Sequence, residues 1–272
     1  MIAFAGNSLL CRAALKSTEI DPASFTLIRI VSGALALWLI VRMRHGAAGN
    51  AGNWTSALAL FAYAAGFSFA YISLPAATGA LLLFGAVQAT MIGYSLWAGE
   101  RPRKRQLAGL SCALAGLVGL LLPGLSAPPF LGSTLMLGAG VAWGVYSLRG
   151  KSVGDPTGVT AGNFQRAAVF ALLLSLAMLP WISLDIMGIC YAITSGALAS
   201  GVGYAVWYTA LRRLRATSAA TVQLSVPVIA AAGGIIFLGE SVTLRLVIAS
   251  VAILGGIWLV IGDQQLATGE DA

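Results

Sequence analysis

Residues 66–74, GFSFAYISL, and residues 203–211, GYAVWYTAL, are two versions of one segment set 137 positions apart. ATGALLL (77–83) follows the first and ATSAATV (216–222) the second, and each half then reaches a Gly-Glu pair, Gly99-Glu100 and Gly239-Glu240. Glu100, Arg105 and Gly116 correspond to Glu240, Arg245 and Gly256 at a constant offset of 140. The second half reads as a diverged copy of the first. Two related units in a polytopic membrane chain are the usual ground plan of secondary transporters.

Composition supplies the solvent. Hydrophobic residues make up 58% of the chain and charged residues 9%, where a soluble domain averages about 25% charged. The net charge of +7 does not point to nucleic acid, because the basic residues sit in short clusters between apolar runs, the pattern of membrane topology. Cys11, Cys112 and Cys190 lie inside apolar runs without CxxC spacing and read as buried, inert thiols. No metal site or cofactor is expected. No small-residue cleavage site follows the first apolar run, so no cleaved signal peptide is expected.

Apolar runs long enough to span predict an all-α polytopic membrane protein of about ten helices. They cover 1–16, 23–42, 54–74, 76–98, 106–122, 130–148, 158–180, 186–211, 216–238 and 244–262. The first is short for a bilayer. Asp21-Pro22, Gly46 to Gly52, Pro123 to Pro129, Asp155-Pro156 and Pro180 punctuate the connections, and Trp54 and Trp181 suit the headgroup layer. Alternate connections hold 11 of the 16 basic residues, and the opposite ones hold only Lys16 and Arg245. The positive-inside rule then places both termini in the cytoplasm, with the inner (plasma) membrane as the location. Five spans per half, 1–124 and 125–272, is an odd number, so the second repeat enters the membrane inverted. Inverted repeats offer two alternative gates around one site.

Three groups of residues are candidates for that site. Phe67 and Tyr71 on span 3 match Tyr204 and Tyr208 on span 8, each pair at i, i+4 on one helix face; Tyr63 and Trp207 extend those faces, and ordinary core or lipid-facing aromatics are the alternative. Asn7, Gln88, Asn163, Gln165 and Gln223 are amides within spans; they must face the bundle interior, as site groups or as helix–helix glue. Pro227 cannot donate to the Gln223 carbonyl, which predicts a kink and a freed carbonyl there. Arg29 and Arg166 follow Pro22 and Pro156 by two to three turns and read as caps on neighbouring carbonyls, with attraction of a substrate carboxylate as the alternative.

All nine acidic residues fall at span ends, connections or the tail. That weighs against cationic cargo and a buried proton relay, and favours a neutral or zwitterionic solute with an apolar body. GVYSLRGKS (144–152) has five residues between its glycines and ends a membrane helix, so it is not a phosphate-binding loop. Gly66-Phe67-Ser68 lacks an in-span base, since the only histidine is His45 in a loop. The Gly-Glu pairs read as packing and capping features, with Glu pairing locally to Arg103 or Arg245.

Ten short helices in five-plus-five inverted halves, the paired Gly-Glu after spans 4 and 9, and Tyr-x-x-Leu before each turn (Tyr71–Leu74, Tyr208–Leu211) resemble the drug/metabolite transporter (DMT) superfamily. The EamA-like branch is the most similar, and within it the YddG-type exporters of aromatic amino acids. The resemblance covers nearly the whole chain. It implies a central cavity lined by spans 1, 3, 4, 6, 8 and 9 with alternating access. On this chain those spans offer Asn7, Tyr71, Gln88, Trp143, Tyr146, Tyr204, Tyr208 and Gln223; Asn163 joins them from the amide group. It further implies export of amino acids, aromatic ones favoured, and related metabolites, with a small-molecule substrate and the lipid bilayer as partners, no covalent chemistry, and a monomer as one compatible state. A broad metabolite or drug exporter, an intramembrane enzyme, or a subunit without cargo of its own are the alternatives.

Overall fold

The computed structural model describes residues 1–44, 51–99, 104–122, 124, 127–150, 155–211 and 222–269, with the side chains of 95, 208, 211 and 261–269 left aside. Its helices are α1 (Ile2–Ser17), α2 (Pro22–Met43), α3 (Trp54–Tyr71), α4 (Ala76–Trp97), α5 (Lys104–Leu121), α6 (Phe130–Arg149) and α7 (Pro156–Ala177). α8 (Ile186–Thr194), a π-helical stretch (Ser195–Val202) and α9 (Gly203–Leu211) run on from one another; α10 (Ser225–Leu238) and α11 (Leu244–Gly269) complete the chain. Among the described residues there is no strand. Five segments, in α2, α4, α6, α7 and the α8–α9 run, combine the length and hydropathy that crossing a membrane requires. Polar residues set the starts. The Asp21 carboxylate accepts from the Ala23 and Ser24 N–H groups with Pro22 at the first helical position, and Asn53 and Asp185 cap α3 and α8 the same way.

The expected spans and these helices agree, with local differences. α1 is 16 residues, or about 24 Å at 1.5 Å per residue, so the short first span is real. α3 stops at Tyr71 rather than 74, because Ile72 to Pro75 form the tight turn into α4. The helical chain breaks at Leu224, three residues before Pro227. Pro227 therefore sits in the first turn of α10, where its missing N–H costs nothing. Residues 100–103 and 212–221, and with them Glu100, Arg103 and most of the ATSAATV segment, lie outside the described residues. The cysteines depart from expectation: Cys11 is buried, whereas Cys112 and Cys190 are exposed, because they sit on the outward faces of their apolar helices. Trp54 and Trp181 are exposed near helix ends, as anticipated.

Contacts fix the helix directions. α3 and α6 run antiparallel: Gly66 faces Ala139 while Gly132 faces Leu74. α1 opposes the α8–α9 run in the same manner, Asn7 meeting Ser195 and Ala3 meeting Gly203. α4 and α6 are parallel (Gly140 on Ala86, Gly144 on Thr90), as are α1 and α10 (Leu9 on Gly233, Arg12 on Glu240). Each pairing has a counterpart with the halves exchanged, and α6 runs opposite to α1. α5 and α11 cross where a Cβ on Gly109 or Gly256 would collide with the other's carbonyl oxygen, the close backbone approach that small residues permit in membranes.

The π-helical stretch is held the same way. A Cβ on Gly196 would strike the Arg29 carbonyl and the Ser32 hydroxyl, and one on Gly201 would come 3.0 Å from Ala36. α2 thus lies backbone-to-backbone against the widened turn.

Candidate functional site

The aromatic residues of α3, α6 and α9 converge with Phe4 of α1 in one cluster. Trp143 stands 4.8 Å from Tyr63, 5.0 Å from Tyr204 and 5.5 Å from Tyr146, centroid to centroid. Phe4 packs edge-on against Trp143, Tyr204 and Trp207 at 5.7–6.3 Å. The series continues through Phe67, 5.4 Å from Tyr63, to Tyr71, 4.7 Å further. These are the separations at which aromatic pairs attract beyond their burial. Every member from α3, α6 and α9 is buried. The cluster therefore bridges elements of both halves with faces that stack on planar apolar bodies.

Asn7 supplies the polar counterpart. Its amide nitrogen donates to the Tyr63 hydroxyl at 3.1 Å, and its oxygen accepts from Ser195 at the start of the π-helical stretch. Helix geometry explains the meeting: α8–α9 crosses α1 antiparallel, and the wide turn presents Ser195 at the level of Asn7.

Arg29, on α2, brings a guanidinium against the α3 rings of the cluster. Its guanidinium lies over the Phe67 ring at 4.8 Å and the Tyr63 ring at 5.1 Å, and the residue is 2% exposed. The carbonyl-capping role expected of it is not found. Nη1 has no hydrogen-bond partner, and among the described residues no backbone carbonyl accepts from this side chain. Arg166, its matched residue, does cap: Nη1 donates to the Ala51 and Gly162 carbonyls at 2.8 and 3.0 Å. Arg166 meets the irregular chain entering α3, whereas the Arg29 guanidinium lies over ring faces of α3.

One end of the cluster is closed by a cross-half ion pair. Arg12 Nε stands 3.0 Å from Glu240 Oε1, and Arg12 Nη1 donates to the Tyr71 and Ile72 carbonyls at 2.8 and 3.0 Å. Glu240 Oε2 accepts from the Ala76 N–H at 2.7 Å, the positive end of α4. Glu240 thus pairs with Arg12 and not locally with Arg245, which is drawn away to the Gly119 and Leu122 carbonyls at the end of α5. Left-handed Gly239 (φ 61°) turns the chain so that Glu240 points back at α1 and α4. Tyr71 completes this end: its hydroxyl donates to the Ala76 carbonyl at 3.3 Å, and its ring fills the space a Cβ on Gly79 would need.

Asn163 lies at the opposite end. Its oxygen accepts from the Asn53 N–H at 2.9 Å and its nitrogen reaches the Tyr146 hydroxyl at 3.5 Å. Arg149 at the end of α6 donates to Ser56 and to the Asn53 side chain. These groups surround a pocket of about 30 Å³ lined by Asn53, Ser56, Tyr146, Arg149, Thr160 and Asn163, room for one water.

Of the residues anticipated for the site, the structure gathers Asn7, Trp143, Tyr146 and Tyr204 into the cluster and puts Tyr71 and Asn163 at its two ends. Gln88 is buried on α4 with its amide nitrogen unpartnered, and Gln223 is half-buried beside the break at Leu224. The Tyr208 side chain lies outside the described residues. Sequence reasoning missed Arg12, whose only signal was an arginine inside an apolar run. Phe4 gave no signal at all.

Residues 130–262 match the model of the EamA-like transporter family. An uncharacterised protein of Pseudomonas aeruginosa is 56% identical over 265 residues, covering 97% of this chain and 92% of that one. The threonine/homoserine exporter RhtA of Escherichia coli is 36% identical over 119 residues, 41% of this chain and 39% of its own length. A probable amino-acid metabolite efflux pump of Escherichia coli is 25% identical over 208 residues, 68% of this chain and 67% of that one. One solved crystal structure superposes with a TM-score of 0.68 at 19% identity, covering 95% of this chain and 96% of that one; it establishes likeness of fold alone.

Proposed function

The chain belongs to the EamA-like transporter family, and from that premise we propose that it exports amino acids, aromatic ones favoured, and related small metabolites. Residues 1–124 and 125–272 act as inverted repeats that rock about the aromatic cluster, opening it to one side of the membrane at a time. The protein sits in the inner membrane with both termini cytoplasmic and carries out no covalent chemistry.

The observation that carries this reading is the cluster itself. Aromatic faces from α1, α3, α6 and α9 meet at the seam between the halves, next to an amide and a guanidinium and with no carboxylate among them. A ring stacks on such faces, and the polar groups orient the amino-acid end. The Arg12–Glu240 closure supports alternating access, since it ties α1, α4 and α10 together at one end only. A second reading, small hydroxy amino acids as cargo, draws on the similarity to the threonine/homoserine exporter.

Purified protein in liposomes decides between them. Flux of tryptophan, phenylalanine, threonine and glutamate is measured with and without a pH gradient, alongside Trp143→Ala. Faster movement of the aromatic pair, reduced about tenfold or more in the variant, supports the first reading; threonine-dominated flux supports the second. No flux of any of the four refutes both.

A further inference from the structure

A guanidinium buried away from water without an anion is among the costlier arrangements a membrane protein can hold. Arg29 is in that position. It is 2% exposed, and among the described residues the one ion pair is Arg12–Glu240. The rings of Tyr63 and Phe67 offset part of the charge through their π faces but contribute no negative charge. Nη1 is left without any hydrogen-bond partner. Three other helical arginines show what a structural role looks like here: Arg12, Arg166 and Arg245 each donate to two backbone carbonyls.

We propose that Arg29 is the seat of a carboxylate carried by the cargo. The anion this chain does not supply at that depth arrives with the solute. Its carboxylate takes the buried, unpartnered Nη1 of the guanidinium while its body lies against Tyr63, Trp143 and Tyr204. The Asn7 oxygen, which accepts from Ser195, and the Tyr63 hydroxyl, which accepts from the Asn7 amide, are acceptors that an ammonium group on the same solute can share. Arg29 is then a specificity-determining residue: it selects solutes with a free carboxylate over their amides, and neutral solutes leave its charge unmatched. The assignment rests on the transport reading for its cargo, but binding tests it separately.

Wild-type protein, Arg29→Gln and Arg29→Lys are compared in detergent and in liposomes, with phenylalanine and threonine each set against its amide. In the wild type the free acid raises Tm and the amide does not. Arg29→Gln loses that carboxylate-dependent shift while keeping its own Tm, because the change removes an unpaired buried charge. Arg29→Lys keeps the charge but loses the two-pronged donor, so acid binding weakens about tenfold or more. A carboxylate-dependent Tm shift that Arg29→Gln abolishes, with no flux in liposomes, upholds Arg29 as an anion seat and refutes the transport reading. Flux that is equal for acid and amide, or acid binding unchanged in Arg29→Lys and Arg29→Gln, overturns the assignment and leaves transport standing. Should Arg29→Gln fail to fold, Arg29→Lys alone decides: undiminished acid binding there overturns it.

Discussion

Under the proposed alternating access, breaking the Arg12–Glu240 pair opens one end of the molecule, and the structure sets the size of the effect. The two side chains are 12% and 8% exposed, so little water is at hand to replace a lost partner. Removing one member of a fully buried pair costs about 3–5 kcal/mol. Residual exposure argues for the low end, near 3 kcal/mol, and Glu240→Gln also weakens the acceptor of the Ala76 N–H. About 3 kcal/mol corresponds to a shift of a little over a hundredfold between closed and open populations. Cys11, adjacent to Arg12 and fully buried, reports the opening directly. With the exposed Cys112 and Cys190 replaced by alanine, a membrane-impermeant maleimide added from the side of the 72–75 and 239–243 connections labels Cys11 slowly. Glu240→Gln or Arg12→Ala speeds that labelling at least tenfold. The double variant Arg12→Ala/Glu240→Gln falls short of the sum of the single effects by about 1–3 kcal/mol. Unchanged Cys11 labelling in the single variants, with helicity intact, refutes the closure.

Two further expectations concern packing. Gly79→Val drives a branched side chain into the Tyr71 ring, whose Cζ lies 2.7 Å from where a Cβ would stand; overpacking of this kind costs about 1–3 kcal/mol, read as a lowered Tm in detergent, and an unchanged Tm contradicts the contact. Gly256→Leu places a side chain against the Gly109 carbonyl and separates α11 from α5, so yield and thermal stability fall while Gly255→Leu, which faces open space, leaves both unaltered.

Much of the fold could be read before any coordinates. Apolar runs fix helix number because bilayer thickness fixes their length, and Asp21-Pro22 and Asn53 mark helix starts because they satisfy first-turn N–H groups locally. The matched segments hold Tyr71 and Tyr204, both of which are buried. Burial of single thiols was harder, since an apolar run does not say which of its sides meets lipid; Cys112 and Cys190 turned out exposed for that reason. Arg29 and Arg166 look alike in the chain, yet only one finds carbonyls. Whether a neighbouring backbone is irregular at the depth an arginine reaches is not written in the residues around it.

By itself, then, the amino-acid order determined the all-helical class and the apolar helices, because those follow from hydropathy and caps along one dimension. Only the tertiary structure decided which side chains meet across the seam. Glu240 reaches Arg12 from 228 positions away and Phe4 enters the aromatic cluster, because glycine contacts and one π-helical stretch set how closely the helices cross. Those distances are properties of packed surfaces, and they decide which of the described charges find a partner.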